Sequence, residues 1–318
     1  MSESTVRAAI DRLLAENDPT AMAPEDFWEA QYDAGLAWVD FDEGFGGLGV
    51  DPGHQQTVDA ALELAGSSRD NVANNLIGIG MGGPTIHAFG TDDQKARYLR
   101  PMFSNREIWC QLFSEPGAGS DVAGLATRAV RDGDEWVVNG QKVWTTIAHL
   151  SRWGMLVTRT DPDAPKHQGM TYFVLDMEAS GVEVRPLRQM TGEAEFNEVY
   201  LTDVRIPDSD RLGAVGDGWR VALTTLMNER VAIGSIVRPR ESGAIGEAVA
   251  LWKERGGDAA ERDALSKLWI EAEVNRLTAI RAGQNRSKGT PGPEGSTGKL
   301  QGAELNKRIY EWAVDFLG

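Results

Sequence analysis

The segment Gln111-Leu112-Phe113-Ser114-Glu115-Pro116-Gly117-Ala118-Gly119-Ser120-Asp121 leads an apolar run into two glycines, a hydroxyl and a carboxylate. Glycine permits close backbone approach to a ligand and positive φ, and successive N–H groups in such a turn form a concavity for anions. The same composition also makes an ordinary surface turn. Further along, Asn139-Gly140-Gln141-Lys142-Val143-Trp144-Thr145-Thr146 sets an indole beside two hydroxyls. An indole offers a large rigid apolar face, and a hydroxyl satisfies a ligand nitrogen that burial would leave unpaired. Trp144 also reads as a plain core aromatic of a strand. A third group lies on a helical pattern, where Trp219, Leu223, Leu226, Ile233 and Val237 form an apolar stripe that includes Glu229. A carboxylate is costly to bury ionised, which suits a base that takes up a proton. A slightly rotated helix would instead put Glu229 at the stripe's edge, in solvent.

Three blocks of chain must position these residues. Residues 1–111 read as a helical domain: Ala8, Ala9, Ile10, Leu13 and Leu14 give one apolar stripe, Phe27, Tyr32, Leu36 and Val39 another, and Thr91-Asp92-Asp93-Gln94 is a capping box. The Gly44–Gly53 stretch reads as a glycine-rich connector. Residues 112–212 read as a β domain, with hairpin turns at Asp132-Gly133 and Asn139-Gly140 flanked by 126–131, 136–139 and 142–146. Further strands are expected over 153–160, 170–176, 182–187 and 198–206. Residues 213–318 return to helical periodicity over 219–254, 259–287 and 298–317, interrupted by Gly289-Thr290-Pro291-Gly292-Pro293, whose prolines cannot continue a helix.

Composition narrows the function. The chain of 318 residues carries 48 acidic against 32 basic side chains, a net charge of −16. That balance disfavours nucleic acid, whose binding rests on cations neutralising phosphates, yet a few local cations suffice for a phosphorylated small ligand. A run of roughly 18 apolar residues, the minimum for a membrane-spanning helix, does not occur, and the first residues lack a secretory apolar region. Cys110 is the only cysteine, which suits a cytoplasmic protein. His54, His87, His149 and His167 are scattered without ligand spacing, so no metal site is expected.

The two motif segments, in that order and at that spacing, resemble the acyl-CoA dehydrogenase family. The resemblance extends over most of the chain, through Trp38–Gly49, Phe89–Leu99, Asp203–Pro207 and Gly216–Gly234. It implies an α+β multidomain fold: an N-terminal helical domain, a middle β-barrel-like domain and a C-terminal helical bundle. It also implies FAD as cofactor and an acyl-CoA thioester as substrate, desaturated between its α and β carbons. Carried over by motif, flavin contacts fall on Gln111, Phe113 and Ser114, with Ser120 where flavin phosphate and CoA meet. Trp144 would flank the ring, with Thr145 and Thr146 on that side and Thr146 near flavin N5. Glu229 matches one of the two positions at which family members carry the α-proton base, with Asn228, Arg230 and Ser120 as substrate contacts. The other base position lies in a Glu-Gly loop beyond the point at which this sequence stops, so the C-terminal domain reads as partial.

Two expectations compete with catalysis by this chain. The family's Arg-x-x-Phe-Gly motif, which reaches the FAD pyrophosphate of a neighbouring subunit, has no counterpart in residues 238–260. That favours a non-catalytic or half-site subunit of a mixed oligomer, while the retained motif residues favour the enzyme. An acyl-CoA oxidase differs from a dehydrogenase in oxygen access, which sequence does not separate. The partners implied are electron-transferring flavoprotein or a similar acceptor, and further subunits in a homo- or hetero-oligomer.

Overall fold

The computed structural model describes residues 3–234, 239–286 and 294–318. The chain divides into two compact units, Met1–Asn228 and Glu229–Gly318.

The first unit opens with α1 (Glu3–Glu16), α2 (Pro24–Asp33), α3 (Gln55–Leu64), α4 (Asp70–Asn74), α5 (Gly83–Phe89) and α6 (Asp92–Phe103). On α1 the buried stripe is Val6, Ile10 and Leu13, while Ala8 faces solvent. Phe27, Tyr32, Leu36 and Val39 are all buried as expected. However, α2 ends at Asp33, so the last two pack from the following loop rather than from the helix. The capping box is present on α6: Thr91 Oγ1 accepts from Gln94 N and Gln94 Oε1 accepts from Thr91 N.

The β part forms one eight-stranded sheet. Its strands are β1 (Trp109–Leu112), β2 (Arg128–Asp132), β3 (Glu135–Thr146), β4 (Trp153–Arg159), β5 (Met170–Asp176), β6 (Val182–Leu187), β7 (Phe196–Pro207) and β8 (Arg211–Leu212). The order is β6-β7-β3-β2-β4-β5-β8, and β1 pairs in parallel with β4, Cys110 opposite Gly154. Asp132-Gly133 makes the expected hairpin, with Gly133 at φ 64° and Asp132 paired to Glu135. Asn139-Gly140 does not turn the chain: β3 runs straight through it, with a register shift against β7 between Val138 and Gly140. Asn139 Nδ2 donates to Asp203 Oδ1 at 3.0 Å, and Asp203 N donates to Asn139 Oδ1 at 2.9 Å. This cross-strand exchange replaces the hydrogen bonds of a turn, and the dipeptide becomes a β-bulge. Cys110, Leu112, Leu156, Phe173, Leu175 and Val199 lie fully buried in the core of the sheet.

α7 (Gly218–Gly234) begins in the first unit, and its buried face there is Gly218, Val221, Ala222 and Thr225. This corrects the expected stripe, because Leu223 is exposed and Trp219 and Leu226 are only half-buried. Val237 lies outside the described residues, and so does the Ile233 side chain. The second unit continues with α8 (Ala244–Arg255), α9 (Ala259–Arg286) and α10 (Glu294–Leu317). The single helical candidate 219–254 is thus split into α7 and α8, with Gly243 at φ 66° before α8. The expected breaker, residues 289–293, lies outside the described residues. Ile245, Ala248, Leu265, Leu268, Leu305 and Ile309 form the small core of the second unit. Among the described residues no helix is long and apolar enough to cross a membrane.

Candidate functional site

The two motif segments meet through buried charge. Lys142, fully buried on β3, donates from Nζ to Glu115 Oε1 at 2.8 Å and to the Phe113 carbonyl at 3.1 Å. Glu115 also accepts from the backbone N–H groups of Ala126 (2.7 Å) and Thr127 (3.0 Å). Val143 N donates to the Ser114 carbonyl at 2.9 Å, closing the junction. Burial alone would push the Glu115 carboxyl up, but Lys142 and the hydrogen bonds outweigh it and hold the group below its ordinary value. Burial pulls Lys142 down to about 8 against the attraction of Glu115. Sequence reasoning quoted these two residues within their motifs and gave neither a role. The available signal was a charged residue set among apolar and glycine neighbours in each motif.

The end of β3 departs from regular strand geometry where the chemistry is expected. The pairing with β7 shifts between Lys142 and Thr145, and Trp144 takes φ 59° inside that bulge. Positive φ is unfavourable for a bulky residue, and a bulge re-aims a side chain. The result is an indole 61% exposed, edge-on to Phe196 at 6.1 Å. Trp144 is therefore not a core aromatic. Thr146 is half-buried, whereas Thr145 is buried with its Oγ1 lacking a hydrogen-bond partner. Buried Asn197, unmarked in the sequence reading, donates from Nδ2 to the Thr145 carbonyl at 3.0 Å and steadies this end of the strand.

The partner segment contributes Gln111, half-buried on β1, Phe113, buried edge-on to Tyr172 at 5.9 Å, and half-buried Ser114. Beyond it, Glu115 and Ala118 exchange backbone hydrogen bonds of 2.9 and 3.0 Å in a tight turn. Neither Gly117 nor Gly119 takes positive φ, and a Cβ on either would meet nothing within 4 Å. These glycines keep the surface open rather than serving a left-handed turn. Ser120 is exposed on this loop, and next to it Asp121 pairs with Lys166 at 2.8 Å. An exposed indole, unpartnered hydroxyls and an open glycine loop can together receive a flat aromatic group with a polar edge and an attached anion.

Asn228 ends the first unit and uses its Nδ2 to donate to the Thr224 carbonyl at 3.0 Å. Glu229 begins the second unit, with its side chain 23% exposed and Oε1 3.5 Å from Lys299 Nζ. Arg230 continues α7 in its backbone, and its side chain lies outside the described residues.

Comparison with known proteins matches three family models along the chain. They are the acyl-CoA dehydrogenase N-terminal domain over residues 1–106, the middle domain over 110–204 and the C-terminal domain over 216–318. Acyl-CoA dehydrogenase FadE34 of Mycobacterium tuberculosis is 42% identical over 308 residues, covering 96% of this chain and 40% of that protein. Acyl-CoA dehydrogenase IpdE1 of the same organism is 38% identical over 288 residues, covering 90% of this chain and 74% of that one. This chain thus spans less than half of the first relative and about three quarters of the second. Among solved structures, the ChsE4-ChsE5 complex from Mycobacterium tuberculosis matches at TM-score 0.69 and 27% identity, over 99% of this chain and 84% of that one.

Proposed function

The chain belongs to the acyl-CoA dehydrogenase family, and on that premise we propose that it desaturates an acyl-CoA thioester between the α and β carbons with FAD as cofactor. The observation that carries this reading is the junction of the two motif segments, where Lys142 holds Glu115, Val143 N bonds the Ser114 carbonyl and the neighbouring Trp144 is exposed. That surface fits a flavin. The indole offers an apolar face to its ring, and the hydroxyls of Ser114 and Thr146, which take no side-chain hydrogen bond among the described residues, offer partners for its polar edge. Gln111 and Phe113 extend that contact, and Thr145 shapes it from within the strand. When bound, the flavin supplies the acceptor for the hydride leaving the β carbon.

The remaining work falls to the chain. Glu229 accepts the α proton as the C–H electron pair becomes the new double bond. Ser120 and Asn228 orient the CoA portion, and the guanidinium of Arg230 pairs with its phosphate or carbonyl oxygens. The protein acts in the cytoplasm, passes electrons to electron-transferring flavoprotein or a similar acceptor, and works as an oligomer organised in the three domains 1–111, 112–212 and 213–318. To test this, the purified chain is loaded with FAD and mixed anaerobically with a panel of acyl-CoAs. Bleaching of the visible flavin band by at least one thioester is expected, and a band unchanged by every thioester defeats the reading.

A second reading is a non-catalytic or half-site subunit of a mixed oligomer. Its support is the likeness to the ChsE4-ChsE5 complex, an assembly of two different chains. Under that reading the band bleaches only after a second family chain is added. Rapid return of the bleached band when oxygen is admitted as sole acceptor would favour an oxidase.

A further inference from the structure

We propose that the buried Glu115–Lys142 ion pair is a positioning pair, setting the 113–115 segment and the end of β3 in the arrangement that receives flavin. The proposal rests on the flavin reading above. One pair ties three separate stretches of chain: residues 113–115, residues 126–127 and β3. Lys142 anchors the Phe113 carbonyl and the Glu115 carboxylate, so it holds the chain on either side of Ser114. The Ser114 carbonyl is taken by Val143 N, so this residue's backbone is fixed while its hydroxyl stays available. On the opposite strand, Lys142 is the last regularly paired residue before the bulge that turns Trp144 outward. The pair therefore adjoins both segments proposed to meet the flavin, Glu115 directly after Ser114 and Lys142 two residues before Trp144.

Stability alone does not account for charge at this place. A buried ion pair is often replaceable by apolar groups of similar volume without loss of stability, because desolvation offsets the attraction. What an apolar pair lacks is direction. The ammonium must point at one carbonyl and one carboxylate oxygen, and the carboxylate at two particular N–H groups. Together these bonds fix the relative register of the two motif segments.

The test compares the full-length chain carrying Lys142→Met, Glu115→Gln, the double substitution Glu115→Leu with Lys142→Met, and Val204→Ala. Val204 is fully buried in the same sheet and is paired with Val138 rather than with Lys142, so its truncation controls for general loosening. Three quantities are read: the FAD dissociation constant, the denaturant midpoint without flavin, and the hydrogen-exchange rate of the Val143 amide. The single variants are expected to lose both stability and affinity. The double variant should regain the midpoint yet bind FAD roughly 10- to 100-fold more weakly than wild type, the worth of one or two directed hydrogen bonds. Its Val143 amide should exchange faster, reporting a loosened junction independently of flavin. Val204→Ala should lower the midpoint and leave the dissociation constant unmoved. Wild-type affinity in the double variant overturns the proposal, as does an equal loss of affinity in Val204→Ala. A wild-type chain that binds no flavin sinks the functional reading and this proposal with it, whereas tight binding by the double variant sinks this proposal alone.

Discussion

The β part of the first unit and the helices α8–α10 of the second treat apolar surface in opposite ways. In the sheet, Leu112, Leu156, Phe173 and Leu175 are completely buried, and the large exposed aromatic, Trp144, is held out by a strained bulge. In the second unit the core cluster among the described residues is six residues, and two apolar rows at helical spacing remain exposed: Ile270, Val274 and Leu277 on α9, and Tyr310, Val314 and Leu317 on α10. Contiguous exposed apolar surface marks an interaction site in a soluble protein. The first region thus exposes its large apolar side chains singly, at Val130, Trp144, Leu150 and Met190, and the second spreads them along helix faces. On the proposed function, the first would receive a ligand and the second would be covered by a further chain.

The sharpest test concerns the single catalytic group assigned to the second unit. Glu229→Gln keeps size and removes the proton acceptor, so acyl-CoA-driven flavin reduction should slow by about 10²–10⁴-fold. FAD affinity should be unchanged, because the flavin contacts are assigned to the first unit. Stopped-flow reduction at the wild-type rate would remove Glu229 from the mechanism and leave the second unit without a base.

Next comes packing. Leu156→Ala, in the fully buried core of the sheet, and Leu305→Ala, in the small core of the second unit, fall in the range of about 2–5 kcal/mol for buried leucine truncations. Leu156 should lie near the top of that range, since strands on both sides prevent collapse into the cavity, and Leu305 near the bottom. Chemical denaturation of both variants gives the order, and the reverse order breaks the comparison.

A smaller effect distinguishes the exposed tryptophan from the packed ones. Trp144→Ala should weaken FAD binding by about 1–3 kcal/mol through lost area and stacking. Trp252→Ala and Trp269→Ala remove indoles that pack against the second unit's core and should leave flavin retention alone. Equal retention in all three variants contradicts the role given to the bulge.

How far the sequence carried these conclusions follows from the range of each interaction. The Asp132-Gly133 hairpin was legible because a two-residue turn is decided locally. Asn139-Gly140 was misread because the same dipeptide serves a bulge once Asp203, far along the chain, supplies the crossing hydrogen bonds. The short strand Trp109–Leu112 was hidden in an apolar run at the end of the helical block. Leu223 was placed on a core stripe because periodicity fixes a helix face but not which side the neighbours cover. The two motif segments were legible as motifs, whereas the pairing of Glu115 with Lys142 and the left-handed backbone of Trp144 exist only after the sheet has formed.

The response to acid probes the same contrast without touching the surface. Glu115 titrates below its ordinary value in the folded chain, because Lys142 and the hydrogen bonds outweigh the opposing effect of burial. Its contribution to stability is therefore present above the unfolded carboxyl value and is lost as pH falls through the depressed folded value. Lys142 remains protonated throughout that acidic range and adds no slope of its own. The denaturant midpoint should fall on acidification in wild type and fall less steeply in Glu115→Gln. Identical slopes would mean that the pair is not ionised in the folded protein.

The smallest effect on folding should accompany a clear effect on assembly. Val274 and Leu277 are about half exposed on α9, so replacing both by serine removes little buried area. Surface changes of this kind usually alter stability by about 0.5 kcal/mol or less. If the α9 row is covered by another chain in solution, the same pair of substitutions removes apolar contact from that interface. Sedimentation velocity of the wild type should then show a species larger than one chain, shifting toward the monomer in the double variant at matched concentration. The FAD dissociation constant should stay unchanged if the flavin surface lies wholly within one chain's β part. A wild type that sediments as a monomer, or a variant with unaltered assembly, would show that the exposed rows of the second unit are not its association surface.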